Sequence, residues 1–257
     1  MKETPPYQFA GIIPARFASS RFPGKPLVMI GNKTMIQRVY DQASKILDIV
    51  FVATDDKRIF EAVLNFGGKA IMTSPNHLSG TDRCAEAVLK INAETQRKVD
   101  IVINVQGDEP FIKPEQIALL MNCFNDDTVE LATLIRKVEP GEDILNPNQP
   151  KVVLNLKGDA IYFSRAAIPF VRDSEIKEWT KKQVFYKHIG LYAYKSETLA
   201  KITLLPCSSL EISESLEQNR WLENGYKIRT AVTDWQSIGI DSPDDLEKAN
   251  VFLEHFF

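Results

Sequence analysis

The chain has 257 residues, of which 44% are hydrophobic and 25% are charged. That composition is typical of a globular protein with a packed core, so a disordered chain is excluded. The 31 lysines and arginines against 34 aspartates and glutamates give a net charge of −3, which lacks the basic footprint of nucleic-acid-binding proteins. Any anionic ligand must therefore be bound by a few local cations.

Cysteine spacing and hydropathy indicate the cellular compartment of the protein. The three cysteines, Cys84, Cys123 and Cys207, are far apart and form no CxxC pair. Such sparse cysteines predict neither a disulfide framework nor a zinc site, and they are typical of a reducing compartment. The N-terminus lacks an apolar signal core, and no later apolar run is long enough to span a bilayer. We therefore expect a cytoplasmic protein that binds neither nucleic acid nor membranes.

Short apolar runs alternate with amphipathic stretches in the first half of the chain. The pattern predicts strands at residues 9–13, 49–53, 70–72 and 101–105, and helices at 35–46, around 59–63 and at 81–91. Strands that are apolar on both faces and separated by helices indicate a Rossmann-type α/β fold, with a mostly parallel sheet covered by helices on both faces. Right-handed crossovers would bring the carboxyl ends of the strands to one edge, where ligands bind in such sheets.

The alternation breaks between residues 140 and 185. Turn-rich segments come first, and residues 151–163 then form a predicted β-hairpin. We interpret 140–185 as a smaller β-containing lobe inserted into a single domain over residues 1–257, where a second substrate or a second subunit could bind. The α/β pattern then resumes with a strand at 189–192, helices near 196–204 and 211–224, a strand at 227–232 and a last helix from about Pro243.

Residues 14–27 directly follow the first predicted strand and form a basic loop. It carries three cations and two hydroxyls, namely Arg16, Arg21, Lys25, Ser19 and Ser20. Such a loop can wrap a polyphosphate, with backbone N–H groups as further donors. It is not a Walker A loop, because serine stands at 19 and Pro26 follows the lysine. The alternative is an ordinary solvated loop, but three cations at a ligand-binding sheet edge favour phosphate binding.

Two aspartates are candidate metal ligands. Asp108 follows the most apolar strand, and a carboxylate there suits Mg²⁺, which combines one or two carboxylates with substrate phosphates. The alternative for Asp108 is a helix cap or turn. Ser242 and Pro243 are explained as a helix start, but Asp241 is not. A shared metal site needs a fold that brings Asp108 and Asp241 together, which their spacing does not establish.

In these and further motifs, the chain resembles the 3-deoxy-D-manno-octulosonate (Kdo) cytidylyltransferase family, which has a nucleotide-sugar transferase-like fold. The matching segments lie in the family's order between about residues 9 and 250, at 12–16, 23–27, 77–83, 104–110, 162–165, 188–192, 216–218 and 239–243. The first segment is shared with sialic acid cytidylyltransferases and other sugar nucleotidyltransferases, whereas the later ones narrow the resemblance to Kdo. Asp82 and Ser242 are mild departures, standing where glutamate and threonine are common.

The resemblance implies a reaction in which CTP and Kdo give CMP-Kdo and diphosphate, for lipopolysaccharide assembly. It implies Mg²⁺ as cofactor, held by Asp108 and Asp241, and catalytic roles for these two residues with Arg16 and Lys25. The nucleotide-binding positions that it implies are Arg16, Ser19, Arg21, Lys25, Ser79, Gly80, Thr81, Arg83 and Gln106.

For the sugar acid, the resemblance implies that Arg165 pairs with the Kdo carboxylate, a bidentate task suited to guanidinium. It also implies hydroxyl contacts from His188, Tyr192, Glu217 and Gln218. Other interpretations stay open: His188 as a structural histidine, Tyr192 as strand packing, and the last two as solvent-facing helix residues.

Three alternatives concern function and assembly. The substrate could be another ulosonic acid, such as a sialic acid or 8-amino-Kdo. A catalytically silent nucleotide-binding protein on the same fold is a second alternative, although both aspartates and all three loop cations are present. The resemblance implies a homodimer formed through the 140–185 lobe, whose hairpin has an edge that needs covering.

Overall fold

Contacts between residues group the chain into two units. The computed structural model describes residues 7–18, 22–236, 238–240 and 242–256. The first unit comprises residues 1–118, 193–203 and 237–257, and the second comprises residues 119–192 and 204–236. Residues 140–185 fall within the second unit, and the single-domain boundaries stay a prediction.

Strands and helices alternate through much of the described chain. In chain order the strands are β1 (Phe9–Ala15), β2 (Met29–Ile30), β3 (Lys33–Thr34), β4 (Val50–Thr54), β5 (Ala70–Met72), β6 (Ile101–Asn104), β7 (Leu131–Lys137), β8 (Lys151–Leu154), β9 (Ala160–Ser164), β10 (Tyr186–Lys195) and β11 (Arg229–Val232). The α-helices are α1 (Met35–Ala43), α2 (Lys57–Asn65), α3 (Gly80–Thr95), α4 (Pro114–Cys123), α5 (Ile176–Lys182), α6 (Ser196–Ile202), α7 (Ser209–Glu214), α8 (Glu217–Glu223) and α9 (Pro243–Phe256). Among them, none has both the length and the apolar character needed to cross a membrane.

The first unit is built on the parallel strands β6, β1, β4 and β5, paired in that order. Ile12, Ile13, Val52 and Ile103 are fully buried. A strand that is buried on both faces has a continuous apolar sequence, which is why these strands are predicted well. Three polar segments follow the carboxyl ends of β1, β5 and β6 and are therefore placed along one edge of this sheet.

Side-chain caps fix where the helices of the first unit begin. Thr34 caps α1 by accepting a hydrogen bond from the Gln37 amide, and Asp56 caps α2 by accepting one from the Arg58 amide. α3 begins with a reciprocal capping box between Ser79 and Asp82. Each cap satisfies a backbone donor that the first helical turn leaves without an intrahelical partner.

The second unit mixes parallel and antiparallel pairing. β11 pairs with β7 in parallel, whereas β8 pairs antiparallel with both β9 and β10. The β8–β9 pair is the hairpin that the sequence predicts. A separate cluster of buried side chains packs residues from before the hairpin against residues from after it. Its members are Val138, Ile144, Trp179 and Phe185.

Several predicted boundaries are wrong, for identifiable reasons. The single helix expected over 211–224 is two helices, α7 and α8, because Ser215 takes a left-handed conformation (φ 50°) that ends α7. The strand expected at 189–192 extends over the ten residues of β10. The charged stretch after the hairpin contains α5, which is anchored by Trp179, a side chain only 4% exposed.

Candidate active site

A pocket with a volume of about 250 Å³ opens in the first unit, where β1, β5 and β6 end. Its walls come from the segments at 14–16, 25–26, 77–83 and 106–108. The predicted site residues that line it are Arg16, Lys25, Ser79, Gly80, Arg83, Gln106 and Asp108. The structure therefore brings together three segments that the sequence places after separate strands.

Two glycines allow these segments to approach each other closely. A Cβ atom on Gly107 would lie 2.9 Å from the carbonyl oxygen of Pro14, and one on Gly80 would lie 3.2 Å from the Pro14 Cγ atom. The first distance is shorter than real Cβ contacts, so a side chain at residue 107 would push the loops apart. Both glycines thus bring backbone, rather than side chains, to the pocket floor.

The basic loop contributes Lys25 directly to the pocket. Gly24, at φ 72°, turns the chain immediately before it, and the Gly24 amide donates to the Phe17 carbonyl at 3.0 Å. The Lys25 ammonium lies 2.8 Å from Oδ2 of Asp108. A phosphate-binding candidate and a metal-binding candidate thus form an ion pair in the pocket.

Arg83 holds the pocket wall in place and is almost completely buried. Its Nη1 donates to Thr73 Oγ1 at 2.6 Å and to the Ser74 carbonyl at 3.3 Å, while Nη2 lies 3.3 Å from Asp55 Oδ2. Thr81 is also buried, two residues earlier on α3. These contacts give Arg83 a role in positioning the 73–80 segment.

Glu86 is a residue that sequence reasoning missed. Its carboxylate accepts hydrogen bonds from the Ser74 amide (2.8 Å) and Lys90 (2.7 Å), and it contacts Nε2 of His77, which lines the pocket. Partial burial opposes the charged form, but the bonds from Lys90, Ser74 and His77 outweigh it and lower the pKa of Glu86 to about 2. The only local signal was an i,i+4 spacing to Lys90, which usually marks an ordinary surface pair.

Arg165 lies in the second unit, at the end of β9, with its guanidinium fixed by carbonyl oxygens. Nε donates to Glu214 (2.6 Å), Nη1 to Pro147 (2.8 Å) and Nη2 to Ser215 (3.2 Å). A guanidinium has five N–H groups, so these bonds leave capacity for a carboxylate. The Glu214 carboxylate in turn accepts from Tyr162, Ser164 and the Arg165 amide, at 3.0, 2.6 and 2.9 Å. Sequence reasoning missed Glu214 because no motif marks it.

His188 and Tyr192 project from β10 into an aromatic cluster. The His188 ring packs edge-on against Phe163 and at an angle against Tyr192, with centroid distances of 5.1 and 5.2 Å. Tyr192 continues the cluster to Trp221. Burial lowers the pKa of His188 to about 3, so its imidazole is neutral at physiological pH. The interpretations of His188 as a structural histidine and of Tyr192 as a packing residue therefore both describe contacts in the structure. Their contacts with the sugar stay predictions.

Glu217 and Gln218 form the first turn of α8, and they differ in environment. Glu217 accepts from Nη2 of Arg220 at 2.8 Å. Gln218 is only 4% exposed, and its Nε2 is buried without a hydrogen-bond partner among the residues the structure describes. The alternative interpretation, in which both face solvent, is thus wrong for Gln218. A buried amide donor without a partner is costly unless a ligand satisfies it.

Three predicted site residues, Ser19, Arg21 and Asp241, lie outside the described residues. Next to the last of these, the Ile240 amide donates to the Asp108 carbonyl at 3.0 Å. The helix start predicted at Ser242 and Pro243 is present, and Ser242 and Asp245 cap it reciprocally. Within the described ranges, no three His, Cys, Asp or Glu side chains are grouped closely enough to hold a metal ion.

Comparisons with known proteins place the chain in a family. A family model described as cytidylyltransferase matches residues 10–228. A 3-deoxy-manno-octulosonate cytidylyltransferase from Bacteroides thetaiotaomicron is 55% identical over 96% of this chain and 99% of the relative, and one from Cytophaga hutchinsonii is 57% identical over 91% and 93%. A solved structure of CMP:2-keto-3-deoxy-manno-octonic acid synthetase complexed with CTP is 41% identical, with a TM-score of 0.88, over 97% of this chain and 100% of that one.

The family match, together with the mostly parallel α/β fold, makes the chain a cytidylyltransferase. Both the predicted fold class and the predicted family are confirmed. The chain belongs to the 3-deoxy-manno-octulosonate cytidylyltransferase family.

Proposed function

We infer that the protein transfers CMP from CTP to the anomeric hydroxyl of Kdo and releases diphosphate, which supplies activated Kdo for lipopolysaccharide assembly. The observation that carries this inference is the pocket at the ends of β1 and β6, in a chain more than half identical to relatives named for this activity. The sugar hydroxyl attacks the α-phosphorus, the new P–O bond forms as the bond from the α-phosphorus to the oxygen bridging the β-phosphate breaks, diphosphate leaves with that oxygen, and the hydroxyl proton passes to solvent.

The protein's own contribution to this reaction is positioning and charge. Arg16 and Lys25 line the pocket and bind the triphosphate, so that they stabilise the charge that builds up on the departing diphosphate. Arg21 belongs to the same basic loop and takes the same role in the proposal. Ser79, Gly80 and Gln106 line the pocket and position the nucleotide.

Mg²⁺ is the cofactor of this proposal, with Asp108 and Asp241 as the residues that would hold it. The chemistry of the donors fits, because Asp108 presents a carboxylate on the pocket wall and Mg²⁺ takes one or two carboxylates plus phosphate oxygens and water. The Ile240 amide donates to the Asp108 carbonyl, so the described residues 238–240 end beside Asp108. When bound, the ion would neutralise charge on the phosphate oxygens.

Kdo binds to Arg165, His188, Tyr192, Glu217 and Gln218 in this proposal. Two features support it: the N–H groups that Arg165 does not use in its hydrogen bonds to the Glu214, Pro147 and Ser215 carbonyls, and the buried Nε2 of Gln218. A polyhydroxylated acid would satisfy both, through its carboxylate and its hydroxyl oxygens.

The proposal includes a homodimer formed through the 140–185 segment, in the cytoplasm. Phe170, Ile176 and Val184 are large apolar side chains that are 75%, 47% and 43% exposed, and a second copy would cover them. The three free cysteines suit a reducing compartment. Light scattering should give the mass of two chains for the wild type and of one chain for Phe170→Glu, and a monomeric wild type would contradict the dimer.

A diphosphate-release assay with CTP and a panel of sugar acids tests the reaction. Kdo should support turnover far better than 8-amino-Kdo or a sialic acid, and turnover with one of these rivals but not with Kdo would overturn the substrate assignment. Asp108→Asn should abolish turnover while the protein keeps its fold. Full activity of folded Asp108→Asn would remove Asp108 from the metal site.

A further inference from the structure

Thr133 lies in β7 with a fully buried side chain, and its hydroxyl meets three groups of the neighbouring strand β10. Oγ1 is 2.8 Å from the Leu191 carbonyl oxygen, 3.3 Å from that of Ile189 and 3.0 Å from Nε2 of His188. Nothing in the sequence marks this threonine, which sits in an otherwise apolar run.

The hydrogen-bonding capacity of these groups fixes the direction of each bond. A threonine hydroxyl has one hydrogen to donate and lone pairs to accept with, whereas a carbonyl oxygen only accepts. The Thr133 hydrogen therefore goes to the carbonyls, with Leu191 the nearer. The bond to His188 must then run the other way, with Nε2–H donating to Oγ1.

A neutral imidazole carries one N–H, so a proton on Nε2 leaves Nδ1 with a lone pair. Burial favours the neutral ring, and the flanking Phe163 and Tyr192 rings hold its plane. His188 is only half-buried as a residue, and Nδ1 has no hydrogen-bond partner within the described part of the chain. An acceptor atom is thus held in a fixed orientation.

We propose that Thr133 is a positioning residue, which holds His188 in the Nε2-protonated tautomer so that Nδ1 accepts a hydrogen bond from a hydroxyl of the sugar acid. This inference rests on the proposed function and deepens it, because it specifies what His188 requires of its ligand. The substrate must present a donor there, and an analogue with hydrogen or an O-methyl group in place of that hydroxyl would bind more weakly.

Nitrogen-15 NMR of the histidine rings tests the tautomer without any substrate. The chain has three histidines, so His188→Gln identifies the His188 signals by difference. The wild type should show a protonated Nε2 and an unprotonated Nδ1. Thr133→Ser should keep that pattern, whereas Thr133→Val, which removes the acceptor, should lose it. A wild-type ring protonated at Nδ1, or a pattern unchanged in Thr133→Val, overturns the proposal.

Kinetics test the consequence for the sugar acid. Thr133→Val should raise the KM for Kdo about tenfold, the effect of losing one well-oriented hydrogen bond, and leave the KM for CTP unchanged, with Thr133→Ser close to the wild type. Equal changes in both KM values, or none, overturn the proposal. Wild-type turnover with a different sugar acid would instead overturn the proposed substrate, and the same comparison made with that acid would still test Thr133.

Discussion

The Lys25 ammonium lies 2.8 Å from Oδ2 of Asp108, so the pocket already contains a cation bound to the carboxylate proposed as a metal ligand. Lys25 is the more buried partner, with a side chain 14% exposed against 36% for Asp108. A triphosphate and a divalent cation that enter together can replace this pair, since the phosphates take the lysine and the metal takes the carboxylate. Lys25 would then make metal binding depend on the nucleotide.

Lys25→Met should separate the effect of Lys25 on metal binding by Asp108 from its effect on CTP binding. Without the competing ammonium, Asp108 should bind Mn²⁺ alone several-fold more tightly, as measured by the electron paramagnetic resonance of the free ion. The KM for CTP should rise by at least about tenfold, because a charge-assisted bond to phosphate is lost.

Lys33→Met is the matched control, because Lys33 pairs with Asp41 at 2.6 Å in the same unit but does not line the pocket. Lys33→Met should leave the affinity for Mn²⁺ and the KM for CTP unchanged. A weaker affinity of Lys25→Met for Mn²⁺ would show that Lys25 does not compete for Asp108.

Arg83→Ala should destabilise the protein and also weaken CTP binding. The variant leaves Thr73 Oγ1, the Ser74 carbonyl and Asp55 without their donor, and we expect a loss of about 2–4 kcal/mol in the free energy of unfolding. Urea denaturation measures that loss. Arg97→Ala, at an exposed position, should stay within about 0.5 kcal/mol of the wild type. Equal stability of the two variants would contradict the positioning role of Arg83.

The convergence of Arg16 and Asp108 on one pocket could be predicted from sequence for a physical reason, whereas Ser79 was expected there only from the family resemblance. Parallel strands with right-handed crossovers must end at a common edge, so polar residues that follow apolar runs are brought together without any knowledge of their contacts. The same rule places no constraint on side-chain partners, which is why the Lys25–Asp108 pair was not anticipated.

Residues that act through distant partners could not be found in this way. Glu214 lies about fifty positions from the residues that it holds, and Thr133 is more than fifty positions from His188. Hydrophobic periodicity reports which face of an element is buried, not which polar group meets another across the fold. The helix break at Ser215, between α7 and α8, was also missed. A serine with a left-handed backbone conformation does not stand out in a sequence as a glycine does.

Arg165→Ala should raise the KM for Kdo more than the KM for CTP. The Arg165 guanidinium is the group proposed to bind the Kdo carboxylate. Loss of this bidentate charged pair should lower kcat/KM for Kdo about tenfold to a hundredfold. Arg172→Ala, whose side chain is 89% exposed, is the control and should change neither constant. Equal changes in both KM values for Arg165→Ala would remove its assignment to the carboxylate.

Glu214→Gln should weaken Kdo binding indirectly. The carboxylate accepts hydrogen bonds from Tyr162, Ser164 and the Arg165 amide, and a glutamine amide has only one oxygen to accept them. We expect the KM for Kdo to rise about fivefold, the cost of a partly lost hydrogen bond to a charged group. Glu223→Gln is the control, since the Glu223 carboxylate links Ser209 and Leu210 on the exposed side of the same helices. A similar rise in Glu223→Gln would indicate a general loosening of the helices.

Glu142 should make stability depend on pH in the acid range. Its Oε1 accepts from Lys187 and Arg136, both at 2.8 Å, and its Oε2 accepts from the Glu139 amide at 3.0 Å. Partial burial opposes the charged form, but these bonds, led by that from Lys187, lower the pKa of Glu142 to about 2 from an ordinary value of 4.5. Because the folded-state pKa is the lower one, the stabilisation is complete above about pH 4.5 and is lost as the pH falls towards 2.

Glu142→Gln tests this dependence. At pH 7 the variant should be about 1–3 kcal/mol less stable than the wild type, because Lys187, with a side chain only 3% exposed, loses its charged partner. The difference, measured by urea denaturation at a series of pH values, should shrink between pH 4.5 and 2 as the wild type takes up the proton. Glu178→Gln, which breaks a surface pair with Lys181, should cost less than about 1 kcal/mol at pH 7. A difference between Glu142→Gln and the wild type that stays constant down to the lowest pH at which both fold would contradict the depressed pKa of Glu142.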